Sequence, residues 1–371
     1  MRFNPARLTL ARQSVGWTKT KLADEVGITP RRLADYENRG DAPPPDTREL
    51  LATALKIRED FFFSSEPPVP ENPSFRSLRS MSAGVRDMAL AAASMTIEVS
   101  NWISDRFDLE PVTLPSDLAG AEPSLAADML RQQWAVGLQP APNLVHLAEL
   151  MGVRVFALSV QARALDAFSF WDGDTPYIFV NARGTAERRR WDVAHELGHL
   201  LLHAGSHHLP SDRGREDEAD AFASALLLPP EGLRRNPVRA RRLHEVREYK
   251  LHWKVSAVAL IRALHRQGYL TDWEYRNLAI EASKANLRRS EDDIPVETSP
   301  VLSLVLTGLR QRGLGPRHIA DELHLRATDV RNMFHSLAPV AVGDDGERAS
   351  TGRPHRHLRI VSHGDSDGQR R

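Results

Sequence analysis

His195, Glu196 and His199 stand in the run His195-Glu196-Leu197-Gly198-His199. Side chains four residues apart share one face of a helix, so both imidazoles can hold a single divalent metal. Glu196 follows the first of them and can take a proton from water at that metal, as a general base in metal-assisted hydrolysis. Val193, Ala194, Leu197, Leu200, Leu201 and Leu202 make the helix apolar and buried. Buried polar groups need partners, so this combination in such a helix asks for a ligand. Thr185, with Glu187 in the first turn, predicts where the helix starts.

A catalytic zinc takes three protein ligands and keeps one position open. The chain has no cysteine, which excludes disulfides and thiolate sites and leaves His and carboxylate as donors. Glu216-Asp217-Glu218-Ala219-Asp220 leads into a helical apolar stripe of Ala219, Phe222, Ala223 and Leu226. Glu218, just before the stripe, is the first candidate for third ligand, and Glu216 the second. The same acids also suit the solvated first turn of a helix. His203, one turn beyond His199, could polarise a substrate carbonyl or steady a ligand, while His207 and His208 fall in a loop.

The runs WDVAHELGHLLLH and EDEADAFASALLLP resemble the ImmA/IrrE family of zinc-dependent peptidases, over about residues 125 to 230. The resemblance implies a zincin-like α+β domain with zinc on His195, His199 and Glu218 and with Glu196 as general base. Asp220 stands where the family more often has Asn. Family members cleave bacterial or phage repressors, so a protein substrate is implied.

The elements that must position these residues start near Ser124, with a helix through Leu125, Met129, Leu130 and Trp134 and another from Asn143 to Met151. Val153 to Ser159, Ala167 to Trp171 and Tyr177 to Val180 read as strands, the last two joined at Asp172-Gly173-Asp174. The strand from Tyr177 to Asn181 is expected at the sheet edge, where an extended peptide could add beside the metal.

A separate helical module fills residues 1–63. Thr18 caps a helix with Leu22, Ala23 and Val26 inward, Gly27 ends it, and Thr29-Pro30 opens the next, with Leu33 and Tyr36 inward. Asp46-Thr47 is expected to cap a further helix. The stretch WTKTKLADEVGITPRRLADYENRG resembles the Xre/Cro-type helix-turn-helix family, whose second helix enters the major groove. Thr29, Arg31, Arg32 and Asp35 would face the bases, and Thr18, Lys19 and Lys21 the phosphates. Lys19 departs from the glutamine usual at its position. Residues 1–60 hold 11 basic against 9 acidic side chains, a net of only +2, so pattern rather than charge carries the DNA reading.

Residues 64–123 are expected as a Pro-rich linker followed by a helical connector over 76–108. Residues 124–230 would form the peptidase domain, 231–337 a helical region and 338–371 a disordered tail. Residues 231–290 carry 14 basic against 6 acidic side chains, a face for DNA or an acidic partner, or a plain solvated surface. A weaker helix-turn-helix-like pattern recurs at 300–337, which an ordinary helical hairpin also explains. His355, His357 and His363 in the tail are not read as ligands. No signal peptide or long apolar span is visible, so a cytoplasmic chain without membrane contact is expected. The fold class is then mainly α with a small sheet: an all-α helix-turn-helix domain, a zincin-like α+β domain and a helical C-terminal region. The functional expectation is a DNA-binding regulator fused to a zinc endopeptidase, with an operator, a repressor-type substrate (or the chain itself) and a possible homodimer as partners. A transcription factor with a non-proteolytic metal site, and an antitoxin-like binding protein, are the readings from other classes.

Overall fold

The computed structural model describes residues 2–70, 82–115, 117–158, 166–204, 212–236, 240–287, 291 and 293–338. His207, His208, the tail beyond residue 338 and the first part of the expected connector helix lie outside them. The chain is α+β, as its patterning implies: among the described residues, helices with one small three-stranded sheet.

The N-terminal module holds α1 (Pro5–Ser14), α2 (Lys19–Val26), α3 (Pro30–Asn38) and α4 (Pro45–Leu55), closed by a 3-10 turn at Glu59–Phe63. Thr18 Oγ1 accepts from the Lys21 amide, Gly27 ends α2 with φ of 73°, and Thr29 Oγ1 accepts from the Arg32 amide. These are the expected caps, and only a residue tolerant of positive φ suits the Gly27 position. The fourth helix differs: Pro44, not Asp46-Thr47, is its cap residue, and Asp46 lies in the first turn beside the helix dipole. Leu8, Leu22, Leu33, Tyr36, Leu51, Leu55 and Phe62 form the core of the module.

The connector helix α5 spans Ala83–Ser104 and is buried along much of its length. After it come α6 (Pro123–Gln133), α7 (Leu144–Leu150), β1 (Arg154–Ala157), β2 (Ala167–Asp172), β3 (Thr175–Val180) and α8 (Ala186–Leu202). In α6 the inward face is Ala126, Ala127 and Leu130, while Leu125 and Met129 are exposed. The sheet order is β1-β3-β2, with β1 parallel and β2 antiparallel to β3. The expectation that the Tyr177 strand forms the edge is therefore corrected: β3 is the middle strand. Tyr177, Ile178, Phe179 and Val180 are all buried, an apolar run of the kind a strand needs when both faces and both edges are covered. Phe168, Phe170, Tyr177 and Phe179 stack on one face, with the Phe168 and Phe179 ring centroids 4.7 Å apart, and Tyr177 hydrogen-bonds Ser100 of α5. On the other face Ser169 and Trp171 meet α8.

α9 (Asp212–Leu227) packs along α8 and α6. It is followed by α10 (Pro230–Arg235), α11 (Leu243–Trp253), α12 (Ala257–Arg266) and α13 (Asp272–Lys284), with Ser256 capping α12 as expected. Helices α14 (Pro300–Gln311), α15 (Pro316–Glu322) and α16 (Ala327–Phe334) close the described chain. No helix among the described residues is long and apolar enough to cross a membrane.

Candidate metal centre

Thr185 Oγ1 accepts from the Arg188 amide and starts α8 where the sequence places it. Glu187 in that first turn is fully buried and accepts a 2.8 Å hydrogen bond from Lys250 Nζ of α11, itself fully buried. Asp293 and Glu291 also face this ammonium, at 2.8 and 3.8 Å. Helix α8 is thus pinned at its N-terminus by a buried charge cluster.

Further along α8, one turn brings His195 and His199 together, with their Nε2 atoms 3.1 Å apart. Gly198 sits between them against α9. A Cβ there would lie 3.1 Å from Phe222 Cδ1 and 3.2 Å from Ala219 Cα, so a residue without a side chain lets the two helices close. That approach delivers a carboxylate: Glu216 Oε2 is 3.4 Å from His195 Nε2, and Glu216 Oε1 is 3.5 Å from His199 Nε2. Ligand atoms of these three side chains all lie within 4.8 Å of one another.

Glu218, the expected third ligand, is not in this group. Its Oε2 meets His203 Nε2 at 2.9 Å, outside the cluster. The reason is helix phase. Glu216 is three residues before Ala219 and continues the buried stripe, whereas adjacent positions such as 218 and 219 diverge by about 100°. His203 bridges the two sets, because its Nδ1 is 2.9 Å from His199 Nδ1. Asp220, one turn after Glu216, meets His195 Nδ1 at 3.0 Å. Each imidazole therefore has an outer partner on Nδ1 and turns Nε2 inward, the arrangement that orients metal-binding histidines.

Charge follows the same geometry. Burial alone would lower His195, but hydrogen bonds with Asp220 and Glu216 outweigh it and raise the imidazole to about 10. Burial would raise Glu216, yet its hydrogen bonds to His195 and His199 hold the carboxyl far below its ordinary range. Burial, opposed by Glu218 and helped by His199, pushes His203 down to about 4 and keeps it neutral. The negative charge that draws a proton to His195 also favours a cation. Two imidazole nitrogens with one carboxylate oxygen are a donor set suited to zinc.

Glu196 is 3% exposed, and its Oε2 accepts a 2.6 Å hydrogen bond from Ser169 Oγ on β2. Sequence reasoning missed Ser169, although a hydroxyl amid Ala167, Phe168, Phe170 and Trp171 was the visible signal. It also missed Asp220 as the His195 partner and the Lys250 cluster.

In the N-terminal module Thr29, Arg31 and Arg32 are exposed at the start of α3. Arg32 stacks on Tyr36, with its guanidinium carbon 4.8 Å from the ring centroid, and donates from Nε to the Tyr36 hydroxyl. Asp35 pairs with Arg39, and Lys19 reaches back to Glu37 and Asn38. Residues 8–62 match the helix-turn-helix family, and residues 148–265 match the IrrE N-terminal-like domain, a peptidase family. The chain joins a DNA-binding type of helix-turn-helix domain to an IrrE N-terminal-like, metallopeptidase-type domain. No curated protein matches the chain. The matched IrrE N-terminal-like segment includes β1 to β3, α8 and α9, and therefore every side chain of the cluster.

Proposed function

We propose that this chain is a DNA-binding regulator with a built-in zinc endopeptidase that cuts a repressor-type protein, or the chain itself. The observation that carries the reading is the convergence of His195 Nε2, His199 Nε2 and a Glu216 carboxylate oxygen beside buried Glu196. These three side chains would hold the metal. When bound, the ion supplies Lewis acidity toward water and toward an amide carbonyl.

Glu196 takes the proton of the attacking water on its carboxylate and passes it to the leaving nitrogen. Ser169 steadies that carboxylate through the 2.6 Å hydrogen bond. Asp220 and His203 keep the two imidazoles oriented. An extended substrate segment would pair with β2, the edge strand that faces α8, rather than with β3. In this reading residues 1–63 bring the enzyme to an operator, with Lys19, Thr29, Arg31, Arg32 and Asp35 at the DNA. Residues 64–123 connect, 124–230 carry the chemistry and 231–337 support it. Helix-turn-helix proteins bind paired half-sites as dimers, so a homodimer in the cytoplasm is the working form.

The burial of Glu196 favours a gated version, in which a partner or effector opens the site. The test is elemental analysis of wild type and Glu196→Gln, beside incubation with cell lysate and mapping of new protein termini. The expected result is about one zinc per chain in both proteins, with new termini from wild type alone. Zinc without any cleavage would assign the metal domain to a non-proteolytic sensor, and no zinc would remove the enzyme reading.

A further inference from the structure

Residues 313–334 repeat residues 16–37 at a constant spacing. Gly16 and Gly313 are 297 residues apart, as are Ala23 and Ala320, Asp24 and Asp321, Glu25 and Glu322. Apolar positions keep the register: Leu22 with Ile319, Val26 with Leu323, Ile28 with Leu325, Leu33 with Val330 and Tyr36 with Met333. The backbone repeats too. Gly16 and Gly313 have φ of 70° and 71°, and Gly27 and His324 have φ of 73° and 57°. The Ile28 amide donates to the Ala23 carbonyl, and the Leu325 amide donates to the Ala320 carbonyl. α3 begins at Pro30 and α16 at Ala327, again with the same offset.

The chemistry of the reading end does not repeat. Thr29 is replaced by Arg326, Arg31 by Thr328 and Arg32 by Asp329. A carboxylate at that place repels phosphate. Arg326 binds Asp329 at 2.6 Å and turns its remaining nitrogens to Ser14 Oγ, at 2.7 Å, and to the Leu55 carbonyl, at 3.3 Å. The end that faces solvent in the first copy thus lies, in the second, against the C-terminal ends of α1 and α4. Glu322 accepts from Trp102 Nε1 of α5 and from Arg106 Nη2 just beyond its C-terminus, at 2.6 and 2.7 Å. Ser299, the cap of α14, donates to the Glu149 carboxylate of α7, and α16 packs on β1.

We propose that residues 300–337 are a second helix-turn-helix unit whose partner is the first: a bracket that fixes the DNA-reading domain to the metal domain instead of reading DNA itself. The inference does not depend on the metal domain being an enzyme.

Because the chain has no native cysteine, two spin labels can be placed without background, at Leu50→Cys on exposed α4 and Leu125→Cys on exposed α6. Pulsed electron-spin distance measurement on the full chain should give one narrow distance. Arg326→Glu combined with Glu322→Gln should broaden it at least twofold in width, with metal content and helical circular dichroism unchanged. An unchanged narrow distance in a folded double variant overturns the bracket. If that variant does not fold, Ser14→Ala with Arg58→Ala probes the same face from the other side, since Ser14 accepts from Arg326 and Arg58 lies 3.9 Å from Asp321 of the repeat, under the same two outcomes.

A second arm measures affinity for a short random-sequence duplex at low salt. Arg317→Glu and Arg331→Glu, exposed cations of the repeat, should change it by less than about twofold, whereas Arg31→Ala should weaken it. A loss of about tenfold or more from either repeat variant would make residues 300–337 a second DNA reader and overturn the proposal.

Discussion

At the residue scale, a carboxylate is defined by what stands around it. Glu216 and Glu218 are two positions apart, yet one faces two imidazole nitrogens and the other a neutral His203. Glu216→Ala should therefore abolish stoichiometric zinc, while Glu218→Gln should retain it, and elemental analysis of the two variants decides between them. Asp220→Asn should weaken zinc affinity by roughly 10- to 100-fold, the usual effect of losing a histidine's outer partner, measured by chelator competition. Glu149 behaves differently again. Burial pushes its carboxyl up to about 8, although Ser299 and the Val301 amide donate to it. A folded carboxyl that holds its proton more tightly than the unfolded one stabilises below the unfolded pKa of about 4.5. That contribution is lost as pH rises from there to about 8. Denaturation midpoints followed across this window should fall in wild type, and Glu149→Gln should flatten the trend; an equal slope in both would refute it. The candidates His195, Glu196 and His199 could be picked from the sequence because their types and spacing admit few other uses. Which glutamate joins the two imidazoles could not, because the acidic run offers two and only the rotation of α9 relative to α8 separates them.

At the element scale, the site depends on how closely α9 approaches α8. Gly198→Val would place methyl groups where Phe222 and Ala219 already sit, forcing the helices apart. A loss of about 1–3 kcal/mol is expected for such overpacking, together with weaker zinc binding, read from denaturant unfolding and metal titration. Lys250→Met tests the other end of α8. It leaves Glu187 buried and without its counter-ion, with an expected loss of about 3–5 kcal/mol. A near-neutral effect would mean that the cluster is dispensable. Helix starts were readable from Thr18, Thr29, Thr185 and Ser256, because a side-chain cap is a local device. Strand order was not: a short apolar run such as Tyr177–Val180 has the same pattern whether it ends a sheet or sits within it. The Lys250 cluster ties Glu187 to Lys250 and Asp293, 63 and 106 positions away, which no local pattern records.

At the scale of the whole molecule, two domain types are visible from their motifs, but their junction is not. Arg31→Ala and Arg32→Ala should each weaken DNA binding by about 1–3 kcal/mol while leaving zinc content and cleavage intact. Parallel loss of both activities would show that the domains do not act independently. Arg7 of α1 forms a two-pronged ion pair with Glu98 of α5, and Arg326 reaches Ser14 and Leu55, so the junction is built from residues distant in the chain. The contact between Ser14 and Arg326 also has a consequence in time. A ribosome adding about 5–20 residues per second exposes the N-terminal domain roughly fifteen seconds to a minute before Arg326 is made. Every newborn chain therefore passes through a stage in which its helix-turn-helix domain is already made but not yet clasped. A message truncated just after residue 299 would leave the protein at that stage permanently, with both recognisable domains present and the clasp missing.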